Sequence, residues 1–324
     1  MVQAVRAALT PADTALLVAC SGGADSLALA VAAREVAERS GRPYGALVVD
    51  HGLQAGSAEV AGRAATTLAD LGYRDVSVVR VVVDLAVGQG LESAARTARY
   101  AALDAAARAG LLTAGGQRSA PATVLLGHTR DDQAETVLLG LLRGSGTRSL
   151  SGMAARTGAH LRPLLDVTRA TTEQVCRERG LVPHEDPHNA DPAYARSRVR
   201  HRVLPLLEAE LGPGTAAALA RTAFLARDDA DLLDELAAAA DPGTGTLGCE
   251  ELTALPPALR RRVLRRWLAR QGEGGQGVGG LTLAHVRAVE RLLEDWHGQR
   301  GVPVPGGAVA RRDGRLLWQA VGRG

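Results

Sequence analysis

The chain contains no lysine, no isoleucine and a single asparagine, Asn189. Aromatic residues make up 2% of it, and cysteines number three. Each scarcity excludes something. Without lysine, all 38 basic residues are arginines. This reads as the codon usage of a GC-rich genome, so an arginine here does not by itself mark a place where a guanidinium was needed over an ammonium. With so few aromatics, the core must be built from Leu, Val and Ala, for which a hydrophobic fraction of 46% is ample. Cys20, Cys176 and Cys249 lie too far apart for a CxxC pair, a zinc spacing or a disulfide framework, and a reduced, cytoplasmic setting is expected. No signal peptide and no apolar run long enough to span a bilayer occur, so no membrane partner is expected. The net charge of +3 permits a nucleic-acid partner without demanding one. At 324 residues, two domains are expected rather than one.

What is present is alternation. Val- and Leu-rich runs at Thr14–Cys20, Tyr44–Asp50, Val76–Val83, Ala122–His128 and, more weakly, His160–Leu165 are separated by helix-like segments. Those segments are Ser26–Arg39, Ser57–Leu71, Glu92–Ala109, Arg130–Leu142 and Thr168–Arg179. Continuously apolar strands are buried on both faces, and strict β-α alternation predicts a doubly wound α/β domain. Its parallel sheet has five strands, with helices on both faces, over residues 1–211. Ligands of such sheets sit beyond the carboxyl ends of the strands. Residues 212–324 read as a small, mainly helical domain. Its helices are expected at Thr215–Ala240, Cys249–Gln271 and Thr282–Trp296, with a glycine linker before the last. A closing β-hairpin turns at Asp313-Gly314.

The first strand runs into Ser21-Gly22-Gly23-Ala24-Asp25-Ser26, which opens the first long helix. A helix start leaves backbone N–H groups unpaired and partly positive. Two glycines let that backbone approach an anion closely, and Ser21 and Ser26 add hydroxyl donors. The turn is a phosphate cradle, yet neither a Walker loop nor a G-x-G-x-x-G turn. Asp25 would repel a phosphate, and a Mg²⁺ bridging the two is the simplest resolution. Val49 and Asp50, ending the second strand, and Gly127, ending the fourth, stand beside the expected nucleotide. Placed on one helix, His128, Asp132 and Glu135 are spaced i, i+4 and i+7 and share a face, where they can hold Mg²⁺ or an ammonium group, or move a proton.

The turn resembles the pyrophosphate loop (PP-loop) of the N-type ATP pyrophosphatases, whose members include ammonia-using ligases, tRNA thiolation enzymes and tRNA(Ile)-lysidine synthetases. Four further stretches resemble the last of these families. They are Val-Asp-His-Gly-Leu from Val49, "LESAARTARY" at Leu91–Tyr100, "GHTRDDQAETVLLGLLRGSGTRSLSGM" from Gly127, and Glu185-Asp186-Pro187-x-Asn189 followed by an Arg-x-Arg-x-Arg run. Ser197 stands where that family usually has Asn. The resemblance covers about Leu16 to Leu207 and is weak beyond. It implies ATP-dependent ligation of free L-lysine to C2 of the wobble cytidine in the CAU anticodon of tRNA(Ile), through an adenylated tRNA, with release of AMP and pyrophosphate and with no protein partner. It further implies that Ser21–Ser26 hold pyrophosphate, that Asp25 and Asp132 are metal candidates, and that Glu135 orients or deprotonates the amine. His128, Arg96 and Arg99 would contact phosphate or the activated base. Arg196, Arg198, Arg200 and Arg202 form a basic edge suited to RNA backbone. So does the acid-free run in the second domain with Arg261, Arg265 and Arg266, where like charges on one helix call for an outside anion. A thiolation enzyme, an ammonia-dependent ligase and a non-catalytic RNA-binding protein with a relic ATP loop are the alternatives.

Overall fold

The computed structural model describes all residues except 55, 84–90, 113–115, 145, 187–189, 244, 272–279 and 321–324. The chain forms two compact units, Met1–Phe224 and Leu225–Gly324.

In the first unit, α1 (Val2–Ala8) precedes β1 (Leu16–Ala19), α2 (Ala24–Ser40), β2 (Tyr44–Asp50), α3 (Ser57–Asp70) and β3 (Val76–Arg80). Then come α4 (Leu91–Ala109), β4 (Thr123–Leu126), α5 (Arg130–Leu142), α6 (Thr147–Leu150), β5 (Arg156–Thr157) and β6 (His160–Leu161). After α7 (Arg169–Glu178), α8 (Ala195–Arg198) runs through a π-helical turn at Val199–Val203 into α9 (Leu204–Leu211). The helix α10 (Thr215–Ala239) carries the boundary between the units.

The sheet order is β3-β2-β1-β4-β6-β5. The first five strands are parallel, and β5 adds a sixth, antiparallel to β6. Side chains alternate across β1: Leu16 and Val18 join the core under α1, α2 and α3, while Leu17 joins the core under α4. Because α2 is central, nearly its whole circumference is apolar, and Leu27 through Ala30 are all buried. The strand β3 departs from the expected two-sided burial, with Val78 47% and Val79 37% exposed. It is the outermost strand, so its apolar run reflects β-propensity on an edge rather than enclosure.

Below the strands' amino ends, Asp13 ties the antiparallel edge to the core. It is buried, and Arg156 of β5 grips it with two bonds of 2.9 and 2.8 Å. The hydroxyl of Thr123 donates to the same carboxylate. Burial alone would raise the Asp13 carboxyl, but Arg156 and Thr123 outweigh it and hold it well below the usual range.

The second unit continues with β7 (Thr246–Gly248), α11 (Cys249–Ala254), α12 (Pro257–Arg270), α13 (Leu283–Glu294), β8 (Val302–Val304), β9 (Gly307–Arg312) and β10 (Arg315–Ala320). The expected hairpin is the centre of a four-stranded antiparallel sheet, β7-β10-β9-β8. Asp313 and Gly314 both have positive φ, 47° and 71°, as a two-residue hairpin turn requires. The single helix expected over Cys249–Gln271 is two, because Pro256-Pro257 ends α11 and starts α12. Trp267, Leu264 and Leu268 of α12 pack with Val286, Val289 and Leu292 of α13.

Asp13→Asn should lower the unfolding free energy by about 2–3 kcal/mol at neutral pH, since it removes the counter-charge of Arg156 and sets an NH2 donor where a carboxylate oxygen had accepted. The native Asp13 carboxyl is depressed, so its contribution is present above the ordinary Asp range and fades as pH falls. Urea unfolding at pH 7 and pH 3 checks both: the gap between the variant and native protein should be narrower at pH 3 and close only in stronger acid.

Candidate active site at the carboxyl ends of the strands

The turn after β1 is held by its own hydroxyls. Ser26 Oγ donates to the Gly23 carbonyl (2.9 Å) and accepts from the Ser21 amide (3.2 Å). Gly22 is in the left-handed region, φ +82°, where a side chain would be strained. Gly127 has a different reason to be glycine: an added Cβ would lie 3.1 Å from the Asp25 backbone and 3.2 Å from Ser26 Cα. It lets the end of β4 close onto the turn. The Gly22 carbonyl accepts from the His184 amide at 2.9 Å, so the segment after α7 lies against the turn as well.

The acidic residues named from the sequence do converge, and arginines join them. Asp25, in the first turn of α2, accepts a bond from Thr172 and faces the Arg169 guanidinium at 3.7 Å. The other end of Arg169 donates to Asp132 at 3.0 Å. Arg200 donates to Asp132 at 3.0 Å and to both oxygens of Glu135, at 2.7 and 3.0 Å. Arg196 lies 3.3 Å from Glu135, which is fully buried. Burial raises the Asp25 carboxyl, and neighbouring Asp132 adds to the rise. Burial acts the same way on Asp132, but Arg169, the Thr129 amide and Arg200 outweigh it and hold that carboxyl low. Two neighbouring acids are thus pushed apart, one toward protonation and one toward the carboxylate.

The helix of this motif has the expected bounds, and they leave His128 outside it. α5 starts at Arg130, with Thr129 as its cap and Asp132 completing a capping box through the Thr129 amide at 2.9 Å. His128 therefore precedes the helix and does not share a helical face with Asp132 and Glu135. Its Nδ1 is buried without a hydrogen-bond partner. Burial, with Arg162, Arg99 and Arg96 nearby, pulls His128 down to about 4 against the pull of Asp132, so the imidazole is neutral. His51 is likewise lowered by burial and by Arg99, and its Nδ1 is also unpartnered. Arg96 and Arg99 stand over the ring of Tyr100, their guanidinium carbons 4.8 and 5.5 Å from its centroid.

Other expected residues serve the fold. Asp50 accepts from the Gly52 amide at 2.9 Å and sits 3.9 Å from Arg80. Val49 packs with the core under α4. The supposed RNA-facing arginines divide. Arg196 and Arg200, four residues apart and so on one helical face, turn inward to Glu135. Arg198 donates to the carbonyls of Pro192 and Ala193. Arg202 is exposed and has no partner among the described residues. On α12 the like-charge argument is answered from within the unit: Arg261 pairs with Glu290 at 2.7 Å and Arg266 with Asp241 at 3.3 Å. Arg260, buried, pairs with Glu290 and Glu294, and Arg262 and Arg270 pair with Asp234 and Asp241. Arg265 alone of that run is exposed without a partner among the described residues. Asp186 accepts from Gln54 at 3.2 Å, whereas Asn189 lies outside the described residues.

Arg169, Thr172, Tyr100 and Arg162 were missed from the sequence. In a chain whose every cation is arginine, nothing local distinguishes Arg169 from its neighbours. Among the described residues, no group of three or more His, Cys, Asp or Glu side chains could hold a metal ion. Asp25 and Asp132 are nevertheless a fitting pair of hard donors for Mg²⁺, which is bound through one or two carboxylates and completes its shell with phosphate oxygens and water.

A glycine turn after the first strand, facing paired carboxylates at the carboxyl ends of a parallel sheet, defines a PP-loop ATP-using protein. Residues 2–207 match the PP-loop domain model, and residues 247–317 match the model of the TilS substrate binding domain. The tRNA(Ile)-lysidine synthase of Streptomyces coelicolor is 52% identical over 319 residues, spanning 96% of this chain and 87% of its own length. That of Thermobifida fusca is 52% identical over 324 residues, 98% of this chain and 96% of the relative. The chain belongs to the tRNA(Ile)-lysidine synthase family. The U34-tRNA thiolase NcsA of Methanococcus maripaludis, solved with its 4Fe-4S cluster, shares the fold, with a TM-score of 0.53 at 18% identity over 68% of this chain and 76% of that one.

Two outcomes follow from this geometry. Glu135→Gln should lower stability by about 3 kcal/mol, because Arg200 and Arg196 lose a buried counter-charge, and adding Arg200→Met should recover part of the loss. Urea unfolding of both single variants and the double closes that cycle. For His128 the native value is depressed, so the unfolded chain binds its proton first. Stability should decline as pH falls from about 6.5 to about 4, and His128→Gln should flatten the decline.

Proposed function

We propose that the protein joins the ε-amine of free L-lysine to C2 of the wobble cytidine of the CAU anticodon in tRNA(Ile). The observation that carries this reading is the bridge from Asp25 through Arg169 to Asp132 and Glu135, which unites the glycine turn with the acid-bearing helix in one site. The chain's nearly full-length likeness to tRNA(Ile)-lysidine synthases supports it.

The C2 oxygen of cytosine is a poor leaving group. It attacks the α-phosphate of ATP, a new O–P bond forms, and pyrophosphate leaves. The amine then attacks C2, the C2–O bond breaks, and AMP departs with that oxygen. The amine must have lost its proton before it attacks. The amides and hydroxyls of Ser21–Ser26 receive the pyrophosphate group. Mg²⁺ held by Asp25 and Asp132 would supply charge neutralisation for the phosphates. The carboxylates accessible to the lysine ammonium are those of Asp25 and Asp132, 25% and 14% exposed. Glu135, saturated by guanidinium donors, holds Arg200 and Arg196 in place instead. Neutral His128 can accept a hydrogen bond. Contact with tRNA backbone falls to Arg202 and Arg265, with Arg198 at the side. ATP and tRNA as substrates suit a cytoplasmic setting with no membrane and no protein partner.

Thiolation chemistry has little support in the cysteines. Cys20 and Cys176 are buried, burial pushes both thiols up, and Cys249 belongs to the other unit. Incubation with ATP, labelled lysine and total tRNA should place label in tRNA and release AMP and pyrophosphate. ADP as the nucleotide product, or sulfur rather than lysine in the tRNA, would overturn the reading.

A further inference from the structure

We propose that Tyr100 is a positioning residue: it orders Arg96, Arg99 and Arg162 without neutralising them, and the three guanidiniums form a cradle for a nucleotide phosphate. Two of the arginines lie on α4 with Tyr100, and the third follows the carboxyl end of β6. Arg96 and Arg99 stack over the phenol ring. Arg96 also donates to the phenol oxygen at 3.2 Å, and Arg162 donates to the same oxygen at 3.3 Å. His160 packs edge-on against the ring, centroids 4.9 Å apart, and fixes it from β6.

Arg162 carries the argument beyond packing. It is only 7% exposed. One amine of its fork donates to the Ala154 carbonyl at 2.8 Å, and its Nε is buried with no hydrogen-bond partner among the described residues. Among the described residues, no carboxylate pairs with Arg96, Arg99 or Arg162. Two other arginines, one half-buried and one buried, do have such partners: Arg200 has Glu135 and Arg260 has Glu290. Burying a cation without a counter-charge is costly. Arg162 does so against a neutral phenol that half-buried Arg99 and exposed Arg96 share, and the three together make a site whose missing half is an anion. A glutamate at position 100 would supply that anion permanently, whereas tyrosine accepts hydrogen bonds and offers a π face while staying uncharged.

The field of the cluster reaches the site already described. Arg99 acts on His51 at the end of β2, and all three act on His128 at the end of β4. Burial would raise the Tyr100 phenol, yet Arg162, Arg96 and Arg99 outweigh it and bring it below its ordinary value. Planar guanidinium forks match phosphate oxygens in pairs, and the location points to a phosphate ester of a nucleoside. Two sources offer that chemistry: the α-phosphate of the ATP-derived nucleotide, and the phosphodiester backbone beside the wobble base. The second choice rests on the proposed tRNA substrate; the cradle itself does not.

The test uses the full chain as native protein, Tyr100→Phe and Arg162→Gln, with AMP and a CAU anticodon stem-loop RNA as separate probes. Binding is measured by calorimetry over a salt series without lysine. Tyr100→Phe keeps the ring and loses only the bridging oxygen. It should weaken one probe about ten-fold, leave its salt slope unchanged, and broaden the Nε–H resonances of the arginines. Arg162→Gln should weaken the same probe, and if that probe is RNA, lower its salt slope by about 0.7. A loss confined to AMP assigns the cradle to the nucleotide; a loss confined to RNA assigns it to the backbone. Should both variants bind both probes as the native protein does, the proposal fails, and Arg162→Gln decides if Tyr100→Phe does not fold. Because lysine is absent, a cradle that binds AMP stands even if no lysidine is made. Conversely, unaltered kcat/KM for lysidine formation in Tyr100→Phe would remove the cradle and leave the proposed function intact.

Discussion

A fully buried glutamate cannot remain charged alone, and much of the first unit's architecture around the site answers that constraint. Glu135 lies on α5, Arg169 on α7, and Arg196 and Arg200 on the helix that passes through the π turn. Their ion pairs clamp three elements that the sheet alone would not bring together. Asp132 shares two of these arginines and also caps α5, so the start of that helix and the geometry of the acids are set by the same side chain. Asp25 is joined through Arg169, which carries the clamp across to the glycine turn. The turn and the acids can therefore act on one substrate, although more than one hundred residues separate them in sequence.

Much of this was legible in the sequence. The strand Tyr44–Asp50 and the helix Arg130–Leu142 have the bounds that their apolar patterns give. The glycine turn was readable because its function depends on local features: small residues, a strand before, a helix after. The pairing of Asp132 with Glu135 was readable because three residues on a helix make neighbours. What could not be read was long-range. Arg169 and Thr172 reach Asp25 from a distant helix, and no periodicity announces such a contact. The inward turn of Arg196 and Arg200 depends on α5 lying opposite their shared helical face, which nothing in "RSRVRHRV" announces. The exposure of Val78 depends on β3 being last in the sheet, a fact of topology rather than of composition.

Arginine shows the same limit most sharply. A chain with a single kind of cation uses it for separate physical tasks. In α12, arginines that look like an RNA-binding run are paired with Glu290, Glu294, Asp234 and Asp241 from elements that the linear sequence does not set beside them. Around Glu135 they neutralise a buried acid. Around Tyr100 no acid among the described residues pairs with them. Counting charge along a helix cannot separate these cases, because what matters is the sign of whatever the fold places opposite.

The site consequently has two electrostatic halves. On one side Asp25, Asp132 and Glu135 are matched by Arg169, Arg196 and Arg200, and the balance leaves carboxylate oxygens of Asp25 and Asp132 as the exposed acids. On the other, Arg96, Arg99 and Arg162 surround an uncharged phenol and add to the burial that lowers His128, and Arg99 adds to the burial that lowers His51. A reaction that brings together an ammonium group and a phosphate ester needs both kinds of field at once, held apart so that they do not cancel. Salt bridges running from one half to the other would collapse that separation. A tyrosine at the centre of the cationic half, and a glutamate sealed beneath the acidic half, keep each set of charges occupied locally. The separation is thereby built from uncharged or fully buried groups, which leaves the carboxylate oxygens of Asp25 and Asp132 on one side and the guanidiniums around Tyr100 on the other.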